Sequence, residues 1–272
     1  MNFEEFKKEI SVFGKEEFIE GLENVLEVKQ PKLLKLRKKD LIVIGDLHGD
    51  LKSLLHILKT SGFFEDKFSI LFLGDYGDRG FQQLEVYFTL FKLREFFPKK
   101  TFFLRGNHEY VEGLEVAPHD LPLYLYSKFG YEISKEIYEK IRNLWNTFSF
   151  SAISENYFFV HGGIPIKSVS LKELENPSFS LIEQFLWNDP FEDYDFKPSP
   201  RGAGYLFGKN LTENFLSSFK LKKIIRSHEP CNGIMKHHDG KVITVFSMKG
   251  FYGNKKAAYL KLTQNKIEEI FF

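Results

Sequence analysis

Three apolar runs, Leu41-Ile42-Val43-Ile44, Ile70-Leu71-Phe72-Leu73 and Thr101-Phe102-Phe103-Leu104, each break off into a short glycine-bearing polar string. The strings are Gly45-Asp46-Leu47-His48-Gly49, Gly74-Asp75-Tyr76-Gly77-Asp78-Arg79-Gly80 and Arg105-Gly106-Asn107-His108-Glu109. Short runs rich in β-branched and aromatic residues are expected as strands, and the glycines as points where the backbone turns sharply. Leu51, Leu54, Leu55 and Leu58 follow the first string at helical spacing, as do Leu84, Val86, Tyr87, Leu90, Phe91 and Leu93 after the second. Strand, polar string and helix, repeated, predict an α/β fold. Open α/β sheets place their ligands at strand C-termini, so the strings are expected to gather at one edge.

The rest of the chain is expected to form one domain over residues 1–272, since no flexible linker interrupts it. Residues 1–40 read as a helical lead-in, with Phe18, Ile19, Leu22, Val25 and Leu26 on one face. A second helical section runs from Tyr110 to about Trp145, with Ile133, Ile137, Ile141 and Leu144 aligned. Short strands follow at Tyr157-Phe158-Phe159-Val160, Lys223-Ile224-Ile225 and Val242-Ile243-Thr244-Val245-Phe246, the last after the turn signal Asp239-Gly240. Pro198-Ser199-Pro200 marks a loop, and Gly202, Gly204 and Gly208 suggest a backbone bent around something.

Charge and cysteine content narrow the function classes. Lys+Arg 38 against Asp+Glu 37 leaves a net +1, with basic runs scattered at 35–39, 99–100 and 222–223, so no nucleic-acid partner is expected. The N-terminus is acidic and polar and no apolar run reaches a membrane span, so no membrane association is expected. One cysteine, Cys231, excludes an internal disulfide and points to a reducing, cytoplasmic setting. Phe is used 31 times, so a single aromatic is poor evidence for binding.

Carboxylate, imidazole and amide side chains at strand ends are the ligand types of paired hard cations. Asp75 offers two oxygens and is the natural bridge; Asp46 and His48 would hold one metal, and Asn107, His161 and His228 the other. Asn107 is informative because its neutral carbonyl oxygen suits a hard metal without adding negative charge.

The chain resembles the PPP family of metal-dependent serine/threonine protein phosphatases. Besides the three strings, the resemblance is carried by His161-Gly162-Gly163, Trp187-Asn188-Asp189-Pro190, Arg201-Gly202 leading to Phe207-Gly208, and Arg226-Ser227-His228. Gln30-Pro31-Lys32-Leu33-Leu34-Lys35-Leu36 also looks like the stretch preceding the family's first motif. The resemblance implies a calcineurin-like metallophosphoesterase fold, a central β-sandwich flanked by helices. It implies hydrolysis of phosphoserine and phosphothreonine in proteins, with two divalent metal ions making a hydroxide that attacks phosphorus in line and no phosphoenzyme intermediate. Mn²⁺ is the expected activator in vitro, with Fe or Zn as alternatives. Arg79 and Arg201 would grip phosphate oxygens, His108 would protonate the leaving alkoxide, and Asp78 would fix the His108 tautomer. Asp189 is expected to support the site rather than ligate, and Glu109 to add a hydrogen bond.

Other residues read as ordinary. His56, His119, His237 and His238 match no motif, and the tract His237-His238-Asp239-Gly240 is expected as a solvated turn. Cys231 lacks the arginine six positions on that a cysteine phosphatase needs, since His237 stands there, and is expected to be a semi-buried structural residue. Two departures stand out. Ser247-Met248-Lys249-Gly250-Phe251-Tyr252 replaces the family's Ser-Ala-Pro-Asn-Tyr-Cys loop, placing Phe251 in register with its tyrosine, which weakens carry-over of inhibitor sensitivity. Gly77 stands where valine is usual, a change expected to loosen the turn. With no regulatory tail after Phe272, the chain reads as a bare catalytic domain, as in prokaryotic or archaeal members. The alternatives are a dinucleoside polyphosphate hydrolase, a phosphotyrosine-preferring phosphatase and, least favoured, a non-catalytic binding module; physiological partners beyond phosphoproteins and the oligomeric state are left open.

Overall fold

The computed structural model describes residues 1–36, 40–263 and 266–272. The basic run at 35–39 extends over residues 37–39, outside the described residues.

Two sheets carry the chain. One has five strands in the order Ile267–Phe271, Ala258–Leu262, Leu41–Ile44, Ser69–Phe72 and Thr101–Phe103. The other has six, in the order Leu33–Lys35, Ser151–Ile153, Tyr157–Val160, Lys223–Arg226, Val242–Val245 and Ile234–His237. Period-two alternation decides which way each strand faces. Leu41, Val43, Leu71 and Leu260 of the first sheet pack with Ala152, Phe159, Ile225, Ile243 and Val245 of the second in one apolar layer. Ile42, Ile44, Ile70, Phe72 and Phe103 face the opposite way, into a cluster with the helices Phe3–Ser11, Lys15–Leu26, Leu51–Thr60, Gln83–Phe96 and Tyr131–Trp145. Phe158, Val160, Ile224 and Val242 do the same for the helices Phe179–Trp187 and Lys209–Phe219. The result is a β-sandwich with helices on both outer faces, as the resemblance implied. Strands buried on both faces explain why these runs read as continuously apolar.

Leu41–Ile44, Ser69–Phe72 and Thr101–Phe103 are parallel neighbours in register, so the three strings leave the sheet side by side at one edge. Tyr157–Val160 and Lys223–Arg226 are also parallel neighbours, and their ends release His161 and Ser227-His228. A parallel bridge between Asp46 and Phe246, with Ser227 Oγ 2.8 Å from the Asp46 N–H, brings the two edges together.

The N-terminal reading needs correction. Residues 1–40 are not helical throughout: after two helices, Leu33–Lys35 forms an edge strand parallel to Ser151–Ile153. The Tyr110–Trp145 section opens as a loop before the helices Leu121–Phe129 and Tyr131–Trp145. A small third sheet, Asp189–Pro190, Tyr205–Phe207 and Phe196–Pro198, was not legible in sequence, and Arg201 lies in the turn joining its last two strands.

Candidate metal centre and active site

The glycines act in two ways. Gly74 turns the chain with φ +110°, a region closed to most side chains. Gly106 does not have a positive φ; it permits close approach, since a Cβ there would lie 2.1 Å from Asp75 Oδ1. At Gly77, where the usual valine is missing, a Cβ would meet Tyr87 at 3.0 Å, so the Tyr87 ring fills that flank. His48, Asp75, Asp78, Arg79 and His228 all adopt left-handed backbone conformations, with φ of 42°, 57°, 62°, 70° and 73°. Such strain in non-glycine residues persists where surrounding contacts over-determine it, and it clusters at functional sites.

The expected ligands converge. His48 Nε2 lies 3.4 Å from Asp75 Oδ2 and 3.9 Å from Asp46 Oδ2. On the other side of Asp75, His161 Nε2 lies 3.5 Å from Oδ1. His48, Asp75 and His108 bring donor atoms within 4.8 Å of one another, and so do Asp75, His161 and His228, with Asp75 common to both groups. His161 Nε2, Asn107 Oδ1 and His228 Nδ1 form a triangle with sides of 3.0, 3.1 and 3.1 Å.

Tautomers show what the triangle lacks. His161 Nδ1 donates to the Leu73 carbonyl at 3.0 Å, so its Nε2 is a lone pair. His48 Nδ1 likewise donates to the Gly77 carbonyl at 2.8 Å, freeing its Nε2. His228 Nε2 is buried without a hydrogen-bond partner and lies 3.9 Å from Asp189 Oδ1. His228 Nδ1 bonds Asn107 Oδ1 or His161 Nε2 only while it carries a proton; with the proton on Nε2 instead, facing that carboxylate, all three atoms of the triangle present lone pairs. Lone pairs at this separation repel, and a shared cation turns the repulsion into coordination. Neighbouring donors about 2.1 Å from an octahedral cation stand about 3 Å apart. The residues present fit a divalent metal.

Electrostatics agree. Burial raises the Asp46 carboxyl to about 6. It raises Asp75 well above the carboxylate range, with Asp46 and Glu109 adding repulsion. Burial, then the neighbouring His108, holds His48 down at about 3. His161 is pushed well below its usual value by burial and then by His228, and His228 by burial, Arg201 and Arg226. Crowded carboxylates that resist charge and neutral imidazoles are what positive metal charge would relieve.

Around this centre lie the other expected residues. Asp78 Oδ2 is 2.6 Å from His108 Nδ1. Arg79 is held by Tyr252 OH on Nε at 3.2 Å and by the Pro118 carbonyl on Nη1 at 2.7 Å. Arg201 Nε donates to Asp189 Oδ2 at 2.6 Å, while Asp189 Oδ1 accepts from the fully buried Arg226 at 2.6 Å.

Several residues read as ordinary prove otherwise. His119 Nδ1 lies 2.7 Å from Asp78 Oδ2, so it belongs to the site. No sequence signal marked it, because the contact spans 41 positions. The site ring supplied by the C-terminal loop is Tyr252, one position beyond the expected register: both rings are exposed, but it is Tyr252 that lies 6.1 Å from His48 and accepts from Arg79. The turn after Ile234–His237 forms as expected, but His238 is not solvated: it is buried, bonded to Thr212 Oγ1 and the Phe191 carbonyl, both at 2.8 Å. His56 stacks on Phe272.

Residues 40–232 match the calcineurin-like phosphoesterase family. The chain is 31% identical over 251 residues to the PP2A-like serine/threonine-protein phosphatase PPG1 of Candida albicans, covering 88% of this chain and 59% of that protein. It is 32% identical over 242 residues to a protein phosphatase 2A catalytic chain of Dictyostelium discoideum, covering 84% of this chain and 72% of that one. The chain thus spans between about half and three quarters of the length of these two relatives. A solved serine/threonine phosphatase from Saccharomyces cerevisiae, similar to human PP5, superposes with a TM-score of 0.78 at 23% identity, covering 98% of this chain and 89% of that chain.

Proposed function

The chain belongs to the calcineurin-like phosphoesterases, and within them to the PPP phosphatases, and from that premise we propose that it hydrolyses phosphoserine and phosphothreonine monoesters in proteins. The single observation that carries the reading is the triangle of donor atoms at His161, Asn107 and His228, joined through Asp75 to the His48 group. Asp46, His48 and Asp75 would hold one divalent cation, and Asp75, Asn107, His161 and His228 the second. When bound, such a pair supplies Lewis acidity and a water acidic enough to attack phosphorus at neutral pH. Mn²⁺ is the proposed activator in vitro, with Fe or Zn as alternatives.

The chain's own residues do the rest. Arg79 and Arg201 grip phosphate oxygens and offset charge that grows in the transition state. Asp189 ties Arg201 to buried Arg226, so this guanidinium is aimed before substrate arrives. His108, its Nδ1–H fixed on Asp78, presents Nε2 to the leaving oxygen as proton donor. A cytoplasmic setting is part of the same proposal, supported by the lone, unpaired Cys231. Among the described residues no helix is long and apolar enough to cross a membrane.

The test is phosphate release by the purified, metal-stripped protein after Mn²⁺ addition, with phosphoserine, phosphothreonine and phosphotyrosine peptides and diadenosine tetraphosphate under matched conditions. Preference for the first two supports the proposal. Preference for phosphotyrosine or the dinucleotide would keep the metal centre and change the substrate, and silence on all four would favour a binding module.

A further inference from the structure

Asp78 is bonded from four sides. His108 and His119 both approach Oδ2 through Nδ1, at 2.6 and 2.7 Å, while Oδ1 accepts the N–H groups of Asp120 and Leu121 at 2.9 and 2.8 Å. Burial by itself would raise this carboxyl, but the bonds from His108 and His119 outweigh it and hold it well below the usual range. An ionised carboxylate only accepts, so both Nδ1 atoms carry hydrogen. In the neutral imidazole, His119 Nε2 is then a lone pair that can accept from the Tyr138 hydroxyl 2.8 Å away. Tyr138, His119 and Asp78 thus form one hydrogen-bonded row, met from the other side by His108. Tyr138 and Trp145, whose ring lies 6.2 Å from His119, both sit on the helix Tyr131–Trp145, so the bracket is anchored in the outer helical layer.

We propose that His119 is a positioning residue for proton transfer to the leaving group: acting through Asp78, it holds His108 Nε2 in line with the departing oxygen. This rests on the reading of His108 as proton donor. In that step the P–O bond breaks with its electrons going to oxygen, the oxygen takes the Nε2 proton, and His108 is left neutral with Nδ1–H still on Asp78. Asp78 has a left-handed backbone, and with one imidazole gone a single side-chain donor would remain to fix its Oδ2. A loosened Asp78 would let the His108 ring drift, a displacement that costs rate where protonation is needed and little where it is not.

The experiment compares kcat and KM on a phosphoserine peptide, whose alkoxide must be protonated, and on p-nitrophenyl phosphate, whose phenolate leaves unaided, for wild type, His108→Asn, His119→Ala and His119→Asn. Expected is a fall in kcat of roughly 10- to 10²-fold for His119→Ala on phosphoserine. On p-nitrophenyl phosphate the fall should be small, with KM and metal content unchanged. His119→Asn, whose amide N–H can replace Nδ1–H, should recover most of the loss. In metal-free protein labelled with ¹⁵N-histidine, His119 should show the Nδ1–H tautomer, and the His108 Nδ1–H resonance should move in His119→Ala and return in His119→Asn. Equal losses on both substrates for His119→Ala, no recovery in His119→Asn, or an Nε2–H tautomer at His119 would overturn the inference. If His108→Asn itself fails to discriminate between substrates, the donor reading falls and takes this inference with it; if His108→Asn discriminates and His119→Ala does not, the positioning role alone is lost.

Discussion

Glu109 is bonded to the backbone of Asp75: Oε2 accepts the Asp75 N–H at 2.8 Å and the Gly106 N–H at 2.7 Å, while Oε1 accepts the Tyr76 N–H at 3.0 Å. One buried carboxylate therefore ties the second polar string to the third and sets where Asp75 stands. Glu109→Gln must turn an amide N–H₂ toward at least one of these donors. We expect a loss of about 1–3 kcal/mol in unfolding free energy of the metal-free protein, read by urea denaturation. Stability unchanged within a few tenths of a kcal/mol would show that the three bonds do not govern the turn.

Asp75 shared between two donor groups predicts that the cations are lost unequally. Wild-type protein dialysed against Mn²⁺ should hold roughly two equivalents by elemental analysis. His48→Ala, which removes a donor from one side only, should hold about one, and Asp75→Asn should be depleted at both positions. Equal depletion by His48→Ala and Asp75→Asn would argue against a bridging carboxylate.

The link from Arg201 through Asp189 to Arg226 predicts separable effects. Arg201→Ala would remove the proposed phosphate contact and should lower kcat/KM by about 10²-fold on phosphoserine peptides. Asp189→Asn leaves Arg201 in place but weakens the charge-assisted bond that aims it, so a smaller loss is expected. Were Asp189→Asn to keep full activity, Arg201 would not depend on that carboxylate for its aim.

Burial pushes the Cys231 thiol up to about 12, with the Asp46 charge adding to the effect. At neutral pH the thiolate fraction is on the order of 10⁻⁵, so native protein should resist iodoacetamide and Cys231→Ser should keep its activity. The sign of the pH effect follows from linkage. Between the unfolded value, about 8.5, and the folded value the native state holds a proton that the unfolded chain releases, so the contribution is complete below the unfolded value and is lost as pH rises. Wild type should therefore lose stability more steeply than Cys231→Ser above about pH 8.5, measured as urea midpoints across the alkaline range. Parallel decline of the two proteins would show that the thiol titrates as it does in the unfolded chain.

Which residues would gather was legible wherever it depended on local chain geometry. The run Leu41–Ile44 alternates between the sheet interface and the helical layer within four residues, and the polar string after it can only emerge at that strand's end. The same holds for Asp75, Asn107, His161 and His228, each within a few residues of a strand terminus. Ala258–Leu262 was missed although it pairs with Leu41–Ile44, because nothing in its own residues names its neighbour.

The sequence by itself determined the α/β character and which polar side chains would stand at strand ends, because strand alternation, helical spacing and strand-end strings are properties of short stretches of chain. Tertiary structure alone decided that His119 shares Asp78 with His108, that Tyr252 rather than Phe251 meets Arg79, and that Tyr87 fills the space beside Gly77. Those contacts join residues brought together by packing, and the free energy that selects them lies in filling a volume and satisfying buried donors and acceptors, which no local pattern records.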